Sequence, residues 1–185
     1  MVKQQFHLFI KRTQTISNYM KQKESFMKKA IYAGTFDPIT FGHIDVISRA
    51  IKIFDKVIIG ISAAPKNTFF TQNERIKMIS DVFCNNKKVE VLGFSSLLVD
   101  FAKKLGAKTI IRGIRAVSDF DYELQLTLMN RKLARNIETI FLMPSEKYIF
   151  ISSSLVKEIA SLGGDVSHLV PGLVAKVLRK KLKKK

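Results

Sequence analysis

One cysteine, Cys84, occurs in 185 residues, so the chain can form no internal disulfide and no thiolate metal cluster. That fits a reducing, cytoplasmic setting, and Cys84 itself reads as a small buried residue on a helix. No apolar run approaches the roughly 18 residues of a membrane span, which argues against a spanning helix and a membrane partner. Residues 1–26 lack the continuous apolar stretch and small-residue cleavage site of a secretory signal. Neither G-x-G-x-x-G nor the Walker A pattern is present, so the two commonest glycine-rich phosphate loops do not apply. No carboxylate cluster suggests a cage for a divalent cation, and there is no internal repeat.

Acids are scarce as well: 15 Asp and Glu stand against 32 Lys and Arg, a formal charge of +17. Such an excess raises the question of a nucleic-acid partner, and its location argues against one. Residues 1–26 hold five Lys/Arg against Glu24 alone, and residues 176–185 hold seven with no acid. What remains is mildly basic, as suits a protein that handles di- and triphosphates. The first 26 residues are polar and basic without a helical or strand period, and they read as a disordered extension outside the fold. Residues 27–185 read as one domain ending in a Lys-rich, solvated helix.

What is there, from Lys28 onward, is alternation. Short β-branched runs (Ala30–Ala33, Lys56–Ile61, Val89–Leu92, Thr109–Ile111, Thr139–Met143) are separated by amphipathic helical segments. This pattern predicts an α/β domain, a Rossmann-like, doubly wound, five-stranded parallel sheet. The first helix carries Ile44, Ile47, Ile51 and Phe54 on one face behind a Thr40 cap; the second opens with a Thr71 to Glu74 capping box and buries Ile76, Ile79 and Phe83. A short helix through Leu97, Leu98, Phe101, Ala102 and Leu105 stops at Gly106. Longer helices follow over 118–134 and 153–162, and Pro171 starts the last.

Ligands of such sheets bind beyond the carboxyl ends of the strands, so the loops there carry the candidates. After the first strand comes Gly34-Thr35-Phe36-Asp37-Pro38-Ile39-Thr40-Phe41-Gly42-His43, a glycine turn feeding a helix start. The free N–H groups and dipole of that helix suit a phosphate, with His43 in its first turn. After the fourth strand, Arg112 and Arg115 flank Gly113, two planar guanidinium forks for two phosphates. Ser152, Ser153 and Ser154 open a helix after the last strand and form an anion nest. Lys66 follows the second strand, its ammonium mobile enough to track developing charge. Alone, each of these is more often a cap or a surface charge; their order along the chain and their place at strand ends make them one signal.

The matching strings are Y-A-G-T-F-D-P-I-T-F-G-H, G-F-S-S-L-L, I-R-G-I-R-A-V-S-D-F-D-Y-E-L-Q-L, F-L-M-P-S and Y-I-F-I-S-S-S-L-V-K-E. On these the chain resembles the T/H-x-G-H nucleotidyltransferase superfamily and, from Met27 to about Val170, the bacterial phosphopantetheine adenylyltransferase family. The resemblance implies transfer of the adenylyl group of ATP to 4'-phosphopantetheine, giving dephospho-coenzyme A and pyrophosphate in coenzyme A biosynthesis, with Mg2+ carried by ATP and no metal ligands from protein side chains. It implies a cytoplasmic homohexamer of two trimers. It assigns ATP contacts to Thr35, Phe36, His43, Gly113, Ile114, Arg115, Glu123, Tyr148, Ile149, Phe150, Ile151, Ser152, Ser153 and Ser154. Thr35, Lys66, Leu98, Arg112 and Asn130 fall on the phosphopantetheine side, and His43 steadies the α-phosphate with Lys66 and Arg115. Three departures stand out: Lys66-Asn67-Thr68 replaces a more lysine- and proline-rich stretch, Phe41 occupies a place where a small polar residue is common, and residues 1–26 have no counterpart. Rival readings are another acceptor (nicotinamide mononucleotide, or an alcohol phosphate with CTP), a nucleic-acid binder, and a silent α/β module.

Overall fold

The structure is a computed structural model that describes residues 27–63 and 67–183. The expected disordered extension over residues 1–26 and the candidate Lys66 therefore lie outside the described residues. Five strands, β1 (Lys29–Gly34), β2 (Lys56–Ser62), β3 (Val89–Phe94), β4 (Thr109–Gly113) and β5 (Glu138–Leu142), alternate with helices α1 (Phe41–Ile53), α2 (Gln72–Val82), α3 (Leu98–Lys104) and α4 (Val117–Leu133). Helices α5 (Ser153–Ser161) and α6 (Gly172–Leu182) close the chain. All strand pairs are parallel, in the order β3-β2-β1-β4-β5. The chain winds outward from β1 to β3, then returns to the other side of β1. The β1/β4 junction is thus the switch point at which such sheets hold ligands.

Strand alternation divides the core. Ala30, Tyr32, Val57, Ile59, Ile61 and Ile111 face one layer, which α1, α2, α5 and α6 cover with Val46, Ile47, Ala50, Met78, Ile79, Val156, Val174 and Leu178. Ile31, Ala33, Ile58 and Ile110 face the other, closed by Val99, Phe101 and Ala102 of α3 with Ala134 and Ile137. Strands buried on both faces explain the near-continuous Val/Ile runs in the sequence.

Local expectations and structure part at a few residues. Thr40 and Thr71 are the N-caps expected, both with complete capping boxes. Cys84, expected to be buried on a helix, is exposed, because α2 already ends at Val82. Leu97 is exposed too, as the cap residue before α3. On α2 the buried set is Arg75, Met78 and Ile79, while Ile76 and Phe83 are half-buried. Buried Arg75 donates to the carbonyls of Phe70 (3.2 Å), Thr35 (2.6 Å) and Ser62 (3.1 Å), bracing the loops after β1 and β2. The Lys-rich helix is not wholly solvated either, since Lys181 pairs with Glu74 at 2.6 Å.

Gly106 ends α3 in the left-handed region, at φ +66, with open space around the position a Cβ would take. Gly106→Ala therefore costs about 1 kcal/mol through backbone strain alone. Urea unfolding should show a lower midpoint at unchanged slope.

Candidate active site

The cleft opens at the carboxyl ends of β1 and β4, with a volume of about 460 Å3. Thr35, Phe36, His43, Arg112, Gly113, Arg115, Glu123, Ser152, Ser153 and Ser154 all border it. Candidates from three separate loops thus converge, with His43, Arg115 and the serines around one space.

Local sequence accounts for each wall. Past β1 the backbone enters the left-handed region at Phe36 (φ 50), a strained conformation of the kind found where a site fixes a side chain. The Phe36 ring meets Tyr32 and His43 edge-on, at 5.3 and 5.0 Å between centroids. At Gly42 a Cβ would stand 3.2 Å from the Tyr148 carbonyl oxygen, so glycine lets α1 pack against the 148–151 turn where any side chain would press it back.

His43 occupies the third position of α1, and its Nδ1 accepts the backbone N–H of Thr40 at 3.1 Å. A backbone N–H only donates. Nδ1 is therefore the bare nitrogen, and the ring proton sits on Nε2 as the donor left for the cleft. Desolvation by burial, helped by the Arg115 cation, lowers the His43 pKa from 6.5 to about 4. At neutral pH the imidazole is uncharged. The cap contact thus sets the tautomer that His43 presents to the cleft.

The cations and carboxylates are matched. Arg112 grips Glu123 with Nε and Nη2, both at 2.5 Å, and donates Nη1 to the Ala33 carbonyl at 2.9 Å. Arg115 meets Asp119, one helical turn on, at 3.2 Å. Lys157 pairs with Asp37 at 2.9 Å. Tyr32 adds a neutral hydroxyl, because burial pushes its phenol far above the ordinary value despite Arg112 and Arg115. Of the serines, Ser152 caps α5 by accepting Leu155 N–H at 3.1 Å and Ser153 donates to the Pro38 carbonyl at 2.7 Å. The anion-binding capacity at this helix start lies accordingly in its free N–H groups more than in a row of free hydroxyls.

Other sequence candidates stand outside the lining. Tyr148 packs on Phe41 at 5.9 Å, Phe150 is exposed, Ile151 is buried in the core, and Ile149 is half-buried. Ile114 donates its N–H to Leu142 at 3.2 Å. Leu98 packs against the smaller core layer, and Asn130 is half-buried on α4. Conversely Tyr32, Asp37, Asn67, Thr68, Asp119, Tyr122 and Lys157 border the cleft without having been singled out by their sequence pattern. Helical spacing is the signal that finds two of them: Lys157 stands four residues after Ser153, and Asp119 four after Arg115. Among the described residues no group of three His, Cys, Asp or Glu is placed to hold a metal.

The low His43 pKa fixes a pH expectation. Between pH 8 and 5 the imidazole stays neutral as the Nε2–H tautomer, and its carbon and nitrogen chemical shifts should not titrate. Between pH 6.5 and about 4 the unfolded chain takes up a proton that the folded ring refuses, so this group withdraws stability as pH falls through that window. An NMR midpoint near 6.5 for His43 would contradict the assignment.

A cleft at the switch point of a parallel sheet, lined with a neutral imidazole donor, paired guanidiniums and a helix start, is that of a nucleotidyltransferase. The family model described as cytidylyltransferase-like matches residues 31–159. The phosphopantetheine adenylyltransferase of Alkaliphilus metalliredigens is 53% identical over 156 residues, which are 84% of this chain and 99% of the relative. That of Thermodesulfovibrio yellowstonii is 54% identical over 159 residues, 85% and 99%. Among solved structures, a bifunctional NMN adenylyltransferase/ADP ribose pyrophosphatase from Francisella tularensis superposes with TM-score 0.64 at 16% identity. The match covers 85% of this chain and 50% of that one, and it shows the shared fold. The chain belongs to the cytidylyltransferase-like family and, within it, to the phosphopantetheine adenylyltransferases.

Proposed function

We propose that the chain transfers the adenylyl group of ATP to 4'-phosphopantetheine, releasing pyrophosphate and forming dephospho-coenzyme A. The observation that carries this is the convergence of His43, Arg115 and the α5 start on one cleft at the β1/β4 switch point. The acceptor phosphate is already an anionic nucleophile at neutral pH, so the protein has to position it and stabilise charge. An acceptor oxygen attacks the α-phosphorus in line; a new P–O bond forms, the bond to the β-phosphate breaks, and pyrophosphate leaves with its electron pair. His43 Nε2–H donates to the α-phosphate oxygen as charge builds there, and Arg115 and the α5 N–H groups take the rest of the triphosphate. Thr35, Phe36, Gly113 and Glu123 line the nucleotide side, with the 148–151 turn behind α1. Lys66, Arg112, Leu98 and Asn130 belong to the acceptor side in this reading.

ATP enters with Mg2+ as substrate. The cleft carboxylates Asp37, Asp119 and Glu123 each face a cation already, so they leave the metal to the nucleotide oxygens. The location is cytoplasmic, which fits a lone exposed thiol; no helix among the described residues is long and apolar enough to cross a membrane. Assembly is a homohexamer of two trimers. Half of the large exposed hydrophobics among the described residues, Phe120, Tyr122, Leu124, Leu128, Met129 and Leu133, lie on α4, an apolar surface that a subunit contact would cover. Nucleic acid is not a partner in this reading, and removal of residues 183–185, the lysines beyond α6, should leave adenylyl transfer intact.

The test is pyrophosphate release from ATP and magnesium with 4'-phosphopantetheine beside nicotinamide mononucleotide. Release that depends on 4'-phosphopantetheine is expected; release only with the mononucleotide would overturn the acceptor, and release with neither the activity.

A further inference from the structure

Asp37 is only 5% exposed, yet its carboxylate receives three donors from segments distant in sequence. Oδ2 accepts Phe69 N–H at 2.7 Å, Oδ1 accepts Phe70 N–H at 2.8 Å, and Lys157 Nζ reaches Oδ2 at 2.9 Å. The two amides root the loop after β2, whose Asn67 and Thr68 border the cleft. Lys157 stands on α5, one turn beyond Ser153, and borders the cleft as well. A single buried carboxylate thus fastens the 67–70 segment of the acceptor-side loop and the nucleotide-side helix α5 to the loop that leads into α1 and His43.

The outer side of the same loop is held as well. Lys181 of α6 pairs with Glu74 at 2.6 Å and lies 5.0 Å from the Phe70 ring centroid. With both amides bound to Asp37, the root of the loop cannot shift unless those hydrogen bonds break. Three donors around one group call for an acceptor with no hydrogen of its own, which a carboxylate is and an amide is not.

We propose that Asp37 is a positioning residue of the transfer reaction, setting the spacing between the acceptor-side loop and the nucleotide wall. The proposal rests on the adenylyl-transfer reading above. Misplacement by about 1 Å of groups that orient reactants lowers rate by about 10²-fold, so the effect belongs to kinetics as much as to folding.

Asp37→Asn and Lys157→Met are compared with the parent for initial velocities over both substrates, ATP binding by calorimetry, and amide exchange of the peptide spanning residues 67–70. The expected result for D37N is a KM for 4'-phosphopantetheine raised about tenfold or more, weaker ATP binding, and faster exchange over 67–70 in a protein that still unfolds cooperatively. K157M, which removes one arm only, should weaken ATP binding and leave exchange over 67–70 and the acceptor KM as in the parent. The proposal is overturned if D37N keeps its acceptor KM and exchange within about twofold of the parent, or if it matches K157M in every readout. Should D37N fail to fold, Asp37→Glu, which retains the charge and shifts it by one methylene, is read in its place, and full activity there overturns the proposal equally. A parent without pyrophosphate release in the presence of 4'-phosphopantetheine would sink the functional reading instead, while exchange and ATP binding still decide the role of Asp37.

Discussion

Replacing His43 by alanine lowers the turnover of adenylyl transfer by about 10² or more while ATP affinity changes much less. In the proposed reaction the neutral Nε2–H donates into the cleft and meets the negative charge that grows as the acceptor attacks. In the ground state the α-phosphate oxygen has other partners, so losing this donor falls chiefly on the rate. His43→Ala also leaves Thr40 N–H without the Nδ1 acceptor it meets at 3.1 Å, which weakens the start of α1 by about 1 kcal/mol. Thermal unfolding separates that loss from the catalytic one. His43→Asn, whose amide offers a shorter donor, should recover a small part of the rate. Loss of ATP binding in step with rate would mean that the imidazole holds the substrate and not the transition state.

Arg112→Met produces the largest expected loss of stability. The Arg112 and Glu123 side chains are 20% and 14% exposed and joined by two short hydrogen bonds. Removing the guanidinium strands a largely buried carboxylate and frees the Ala33 carbonyl at the end of β1, a change that costs about 3–5 kcal/mol. For a domain of this size the unfolding midpoint should fall by about 10 °C. Replacing both partners, Arg112→Met with Glu123→Met, takes the stranded charge away and should recover much of the midpoint. Activity should stay low in the double variant, because both residues border the cleft. A single variant that unfolds with the parent would show that the pair contributes nothing net.

How much of this was legible in the sequence depended on whether the cause was local. The β-branched runs, the Thr40 and Thr71 caps and the glycine stop at Gly106 are written in neighbouring residues, and each appears where that chemistry puts it. The strand-end rule then collects Thr35, His43, Arg115 and Ser153 at one cleft although they come from three loops. What patterning could not give was pairing across the chain. Asp37 meets Lys157 120 residues away, and its two amide donors come from another strand's loop. Arg75 on the buried face of α2 is not legible in the sequence, because a charge reads as solvent-facing and only the fold brings three carbonyls around it. Cys84 reads as buried because the apolar period of α2 runs on into Phe83, whereas the helix stops at Val82 and leaves the thiol exposed.

A crystal structure with a non-hydrolysable ATP analogue and magnesium shows whether His43, Arg115 and the α5 start grip one triphosphate. The α-phosphate oxygen is expected at about 3 Å from His43 Nε2, with the rest of the triphosphate between Arg115 and the α5 start at Ser153. An analogue bound away from the β1/β4 junction, or one in the cleft whose phosphates point away from His43 and α5, would contradict it.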